Sequence, residues 1–123
     1  MTLTIDTAGQ GLAMVLKDYQ EEALRFIWEN KGVGASSREV WNQVNKVLKN
    51  KTISRASIIN FLNAMVDEGV LNYHEITGKG GHRRIYSTKL DEAGFKKYVA
   101  ELVLGNLMRD FPEETKDALK KLK

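Results

Sequence analysis

Residues 52–86 read TISRASIINFLNAMVDEGVLNYHEITGKGGHRRIY, and this stretch decides the fold. Ser54 is a short oxygen side chain of the kind that caps a helix start, and Gly69 suits the left-handed stop. Between them Ile58, Phe61, Leu62, Met65 and Val66 recur at three- and four-residue steps. That spacing predicts a helix from about Arg55 to Glu68 with a core stripe. The opposite face then carries Ala56, Ile59, Asn60, Asn63 and Asp67. Leu71–Thr77 reads as a strand and Arg84–Thr88 as its return. Gly78, Gly80 and Gly81 are placed to supply the positive φ angles of a hairpin tip. That tip carries Lys79, His82, Arg83 and Arg84.

Upstream, the first clear helix begins near Asp18, with Asp18 and Glu21 in a cap-like D-x-x-E relation. Ala23, Leu24, Ile27 and Trp28 form its apolar stripe, and Gly32 and Gly34 stop it. A second helix starts at Ser36 or Ser37, with Ser36 and Glu39 as a capping box. It presents Val40, Val44, Val47 and Leu48 on one face, flanked by Trp41. Residues 1–16, with Gly9 and Gly11, read as a loose, partly disordered arm, with Thr2–Ile5 as a candidate edge strand. Downstream, Asp91 to Arg109 forms a long helix. Asp110 is the expected cap of a last short one, with Pro112 in its first turn. Phe111, Thr115, Ala118, Leu119 and Leu122 share a face of that last helix.

The order helix, helix, strand, basic tip, strand has the proportions of a winged helix-turn-helix. The fold class expected is mainly α with a small β-hairpin and C-terminal dimerisation helices. Its parts are an arm (1–16), a DNA-binding domain (17–90) and a C-terminal helical element (91–123). In such a docking the second helix of the pair presents its non-core face to base edges. Asn60 and Asn63 suit adenine, and Ile59 suits a thymine methyl. Ser54, Arg55 and Ser57, at the helix N-terminus, suit phosphate or guanine. Lys79, His82, Arg83 and Arg84 suit phosphate or the minor groove.

Charge points the same way. The formal net charge is +3. Residues 1–50 carry six basic and six acidic side chains, and residues 90–123 carry seven of each. The excess lies between Lys51 and Lys89, where Lys51, Arg55, Lys79, Arg83, Arg84 and Lys89 face Asp67, Glu68 and Glu75. A basic patch on an otherwise neutral domain is the footprint of a polyphosphate partner.

No constellation supports catalysis. Without cysteine there is no thiolate site or disulfide framework. Residues 78–81 are not a phosphate-binding P-loop, since no Gly-Lys-Ser/Thr follows. His74 and His82 lack partners at metal-ligand spacing. Neither a cofactor nor a metal is expected. Trp28, Trp41, Tyr73 and Tyr86 read as core or hairpin packing rather than a stacking platform. No apolar run approaches the ~20 residues of a membrane span, and a cytoplasmic location is the expectation.

The helix after the hairpin is apolar round much of its circumference, through Phe95, Tyr98, Val99, Leu102, Val103, Leu104, Leu107 and Met108. With Phe111, these residues read as a dimerisation surface, because such a helix must be covered on several sides. The competing reading has the final helix folding back over it in a monomer.

Ser54–Leu71 resembles the recognition helix and first strand of winged-helix repressors, most of all the penicillinase-repressor family. Leu24-x-x-Ile27-Trp28-Glu29 and Ser37-Arg-Glu39-Val40 fit that family too. Gly81–Tyr86 followed by Leu90-Asp-Glu-Ala-Gly94-Phe is similar to the wing and linker of multiple-antibiotic-resistance regulators and their PadR-like relatives. The resemblance implies a homodimeric repressor on a pseudo-palindromic operator. The copper-responsive branch senses through C-terminal cysteines, which this chain lacks. The penicillinase branch is cleaved at an Asn-Phe bond beyond the wing, whereas the only Asn-Phe here is Asn60-Phe61. Neither induction mechanism carries over. A protein-interaction module in a larger assembly is the alternative class, since fold does not fix function.

Overall fold

The computed structural model describes residues 3–78 and 81–123. Two compact units make up the chain, Met1–Glu92 and Ala93–Lys123. In the first, a 3-10 helix (Gly11–Met14) is followed by α1 (Asp18–Glu29), β1 (Ala35–Ser36), α2 (Ser37–Val47), α3 (Arg55–Asp67), β2 (Leu71–Gly78) and β3 (Gly81–Thr88). The three strands form one antiparallel sheet in the order β1-β3-β2. Helix-turn-helix, hairpin and short third strand together are a winged helix-turn-helix. The second unit holds α4 (Glu92–Asp110), whose first residue closes the first unit, and α5 (Pro112–Leu122).

The core of the first unit is built from the stripes the spacing predicts. Leu24 and Ile27 of α1, Val40 and Val44 of α2, and Ile58, Phe61, Leu62 and Met65 of α3 are fully buried or nearly so. Each such side chain contributes roughly 1.5–3 kcal/mol by leaving water. Val66 and Leu48 are only half-buried and Val47 is exposed, so the α3 stripe is one residue narrower than expected and the α2 stripe two. The Tyr19 and Phe61 rings meet edge to face, with centroids 6.3 Å apart.

The N-terminal segment is not a loose arm over its second half. Leu12, Val15 and Leu16 are buried, and the Asp6 amide donates to the Met14 carbonyl at 2.7 Å. Three apolar residues at three- and four-residue spacing supply enough burial to order the segment despite Gly9 and Gly11. Leu3–Ile5 form no strand, and Thr2 lies outside the described residues.

The start of α1 also differs. Asp18 is its first helical residue rather than its cap; Lys17 occupies the cap position, and its amide donates to Gln20 Oε1 at 2.9 Å. Asp18 instead pairs with Lys51, across the fold from it in sequence. At α2 the capping box is as read: Ser36 Oγ accepts from the Glu39 amide at 3.2 Å, and Glu39 Oε1 accepts from the Ser36 amide at 3.0 Å.

Ser36 was expected only at the start of a helix, yet Ala35 and Ser36 pair with Tyr86 and Ile85 of β3. Gly34 makes this possible. Its φ is +79°, and a Cβ there would lie 2.8 Å from both the Tyr86 carbonyl oxygen and Ile85 Cγ2. Only glycine lets β1 approach β3 so closely.

Candidate nucleic-acid interface

The turn between α2 and α3 is clamped by two side chains of α2. Trp41 Nε1 donates to the Ile53 carbonyl at 2.8 Å. Asn45 closes a two-way pair on the same residue, its Oδ1 accepting from the Ile53 amide at 2.7 Å and its Nδ2 donating to the Ile53 carbonyl at 3.3 Å. Ile53 is thereby fixed one residue before the cap. Ser54 Oγ then accepts from the Ser57 amide at 3.1 Å and sits 2.9 Å from Ser57 Oγ. Both serines are thus engaged in starting α3, and Arg55 beside them projects freely. The helix ends as read, at Gly69 with φ +80°, where the Val70 amide returns to the Met65 carbonyl at 2.9 Å.

On the face opposite the core, Ala56, Asn60 and Asp67 are exposed and Ile59 is half-buried. Asn63 is different. Its Oδ1 accepts from the Tyr86 hydroxyl at 2.6 Å and from Arg84 Nη1 at 3.1 Å. Asn63 was expected to face a base edge; its amide oxygen is instead held twice by the hairpin. Arg84 is equally committed. Its guanidinium lies 4.0 Å from the centroid of the Tyr73 ring, with Nε 4.0 Å from Glu75 Oε1. Burial pushes the Tyr86 phenol above the usual tyrosine range, opposed in part by the neighbouring Arg84 charge.

The hairpin explains why Arg83 and Arg84 differ. The ladder runs from Leu71–Thr88 to Gly78–Gly81, so His82, Arg83 and Arg84 lie in β3, opposite Thr77, Ile76 and Glu75. His82 and Arg83 were expected on the tip, with the return strand beginning at Arg84. Successive strand residues point to opposite faces. Arg84 and Tyr86 therefore share the face turned to Asn63, while Arg83 points away from it. Gly81 has the positive φ expected of a tip, +95°, and Gly78 does not. Lys79 and Gly80 lie outside the described residues.

Arg83 opens onto a cleft of about 440 Å³ lined by Ser36, Ser37 and Arg38 from β1 and the start of α2, Arg55 from α3, and Ile76–Gly78 and Gly81–Arg83 from the hairpin. Three of the residues read as DNA-contacting, Arg55, His82 and Arg83, thus meet in one place. Arg38 joins them and was missed by the sequence reading. Its one sequence signal is its position two residues after the Ser36 cap, at the positive end of a helix. Lys51, counted in the basic excess, is compensated by Asp18, whose carboxyl is held below the usual aspartate range chiefly by that hydrogen bond. Among the described residues no group of three or more His, Cys, Asp or Glu could hold a metal ion, and no helix is long and apolar enough to cross a membrane.

In the second unit Leu102, Leu104, Met108 and Phe111 are exposed, and Tyr98, Val99, Val103 and Leu107 are half-buried. Phe95 is fully buried, its ring 6.2 Å from that of Tyr98. Asp110 does not cap α5. It is the last residue of α4 and pairs with Arg109 at 2.8 Å, while Phe111 takes the cap position. The corner is fixed by buried Thr115, whose Oγ1 is 2.8 Å from the Phe111 carbonyl oxygen and 3.2 Å from that of Leu107. Leu119 and Leu122 of α5 are exposed.

No protein-family model matches the sequence, and no curated protein matches it. Among solved structures it is similar to a crystal structure of a PadR family transcription regulator from hypervirulent Clostridium difficile. The identity is 18%, the TM-score is 0.49, and the match covers 76% of this chain and 97% of that one.

Proposed function

We propose that the protein is a winged-helix transcriptional regulator that binds double-stranded DNA as a homodimer and acts as a repressor. The observation that carries this reading is the cleft between the N-terminal ends of α2 and α3 and the hairpin, where Arg38, Arg55 and Arg83 meet with no acidic residue in the lining. Ala56, Ile59 and Asn60 on the outer face of α3 would meet base edges, and the arginines and His82 would meet the backbone. Asn63 and Arg84 hold the hairpin to α3 instead of touching DNA. Leu104 and Met108, one turn apart on α4, form an apolar row with exposed Phe111 just beyond the helix end, which a second copy would cover. Two copies would present two α3 helices about one DNA turn, ~34 Å, apart.

The test is retention of duplex fragments in a gel across a salt series. Affinity should fall linearly with salt on logarithmic axes, and Arg55→Ala and Arg83→Ala should each reduce the slope by about 1. Duplex binding with no salt slope, or none even at low salt, would sink the DNA reading and favour a protein-interaction module. Sedimentation of Met108→Glu as a monomer, beside a dimeric parent, checks the dimer row. A monomeric parent at micromolar concentration refutes it.

A further inference from the structure

The chain has six arginines. Three are already satisfied: Arg25 by Glu21 and Glu92, Arg84 by Asn63, Glu75 and the Tyr73 ring, and Arg109 by Asp110. The other three, Arg38, Arg55 and Arg83, have no acid partner among the described residues, and all three line the same cleft. They come from α2, α3 and β3, so the fold rather than the local sequence gathers them. Ser37, Thr77 and His82 also line it. No carboxylate in the lining offsets their charge, and an oxyanion bound among them would. Guanidinium is the side chain best matched to phosphate, through paired N–H donors. At about 440 Å³ the cleft has the dimensions of a small-molecule site and exceeds what one phosphate fills.

We propose that this cleft is a phosphate site in its own right, which takes a free polyphosphate such as pyrophosphate as well as a backbone phosphate of DNA. Free polyphosphate then competes with duplex. The competition deepens the DNA reading and rests on it; the binding of free polyphosphate does not. A small anion would act here as an inducer without any change of fold, by occupying the ground on which the backbone sits.

Calorimetric titration of the full chain with inorganic pyrophosphate, at constant ionic strength, tests the binding. One saturable site per chain is expected. Arg38→Gln and Arg83→Gln should each weaken it about tenfold, the loss of one charge-assisted hydrogen bond. Lys120→Gln, far along α5, should leave it unchanged. Non-saturating heats, or an Arg38→Gln variant that binds like the parent while retaining its circular dichroism spectrum, overturn the proposal. A second arm asks whether pyrophosphate displaces labelled duplex better than sodium chloride of equal ionic strength. If pyrophosphate saturates the cleft but no duplex is retained, the site stands and the DNA reading falls. If duplex is retained and pyrophosphate does not bind, the site falls and the DNA reading stands.

Discussion

Replacing Asn63 with alanine tests the bond between the hairpin and α3. The amide oxygen removed accepts from the Tyr86 hydroxyl at 2.6 Å and from Arg84 at 3.1 Å. Tyr86 is 3% exposed, so its hydroxyl loses its acceptor where water scarcely reaches. An orphaned buried donor costs about 1–3 kcal/mol. Arg84 is more than a third exposed and can turn to solvent, so its share is a few tenths of a kcal/mol by the standard of surface pairs. The sum is roughly 1.5–3 kcal/mol for Asn63→Ala. Tyr86→Phe removes the stranded donor itself and should cost about 1 kcal/mol. The double variant should therefore be less destabilised than the sum of the singles, by roughly 1 kcal/mol of coupling. Urea unfolding followed by tryptophan fluorescence measures this directly, because Trp28 and Trp41 both lie in the first unit. Additive single variants, or an Asn63→Ala cost below about 0.5 kcal/mol, would show that the contact does not bind the hairpin to the helix.

Other expectations separate side chains that look alike. Gly34→Ala should destabilise by about 2 kcal/mol or more, combining a left-handed backbone with a close approach to β3. Gly69→Ala, whose φ is also positive but whose surroundings are open, should cost only about 1 kcal/mol, as read by thermal melting. Arg84→Gln should lower stability with little effect on the salt slope of DNA binding, whereas Arg83→Gln should do the reverse; equal behaviour in both assays would contradict the assignment. Folding favours the neutral Tyr86 phenol, so its contribution is whole below about pH 10 and is lost as pH rises through the elevated folded value. Unfolding free energy should thus fall in alkali, and Tyr86→Phe should flatten that decline.

The helix pair and hairpin were legible because their signals are local. Ser36 with Glu39, Ser54, and Gly69 mark helix ends through bonds spanning three to five residues, and all three hold. The stripe of α3 is a matter of 3.6-residue spacing, and four of its five predicted members are buried. What was hidden depends on distant partners. A two-residue strand such as Ala35–Ser36 has no periodicity to detect and exists only because β3 lies beside it. Leu12, Val15 and Leu16 did carry a helical spacing, overshadowed by two glycines. The site was legible as a region but not as a set of roles. Nothing local to Asn63 tells that Tyr86 will claim its oxygen. Arg38 stands 17 positions ahead of Arg55, and only the packing of α2 on α3 brings them to one cleft.

Arg83 and Arg84 are neighbours of the same chemistry, yet one opens onto the cleft and the other is bonded to a helix. Their division of labour is set by parity alone. Tyr86 is buried and β1 pairs with it, so the register of β3 is held from that end. A single residue inserted between Arg84 and Tyr86 would exchange the faces of the two arginines, turning the anchor outward and the free charge toward Asn63. Viable length variation at that point should therefore come in steps of two, whereas changes at the tip alter only reach.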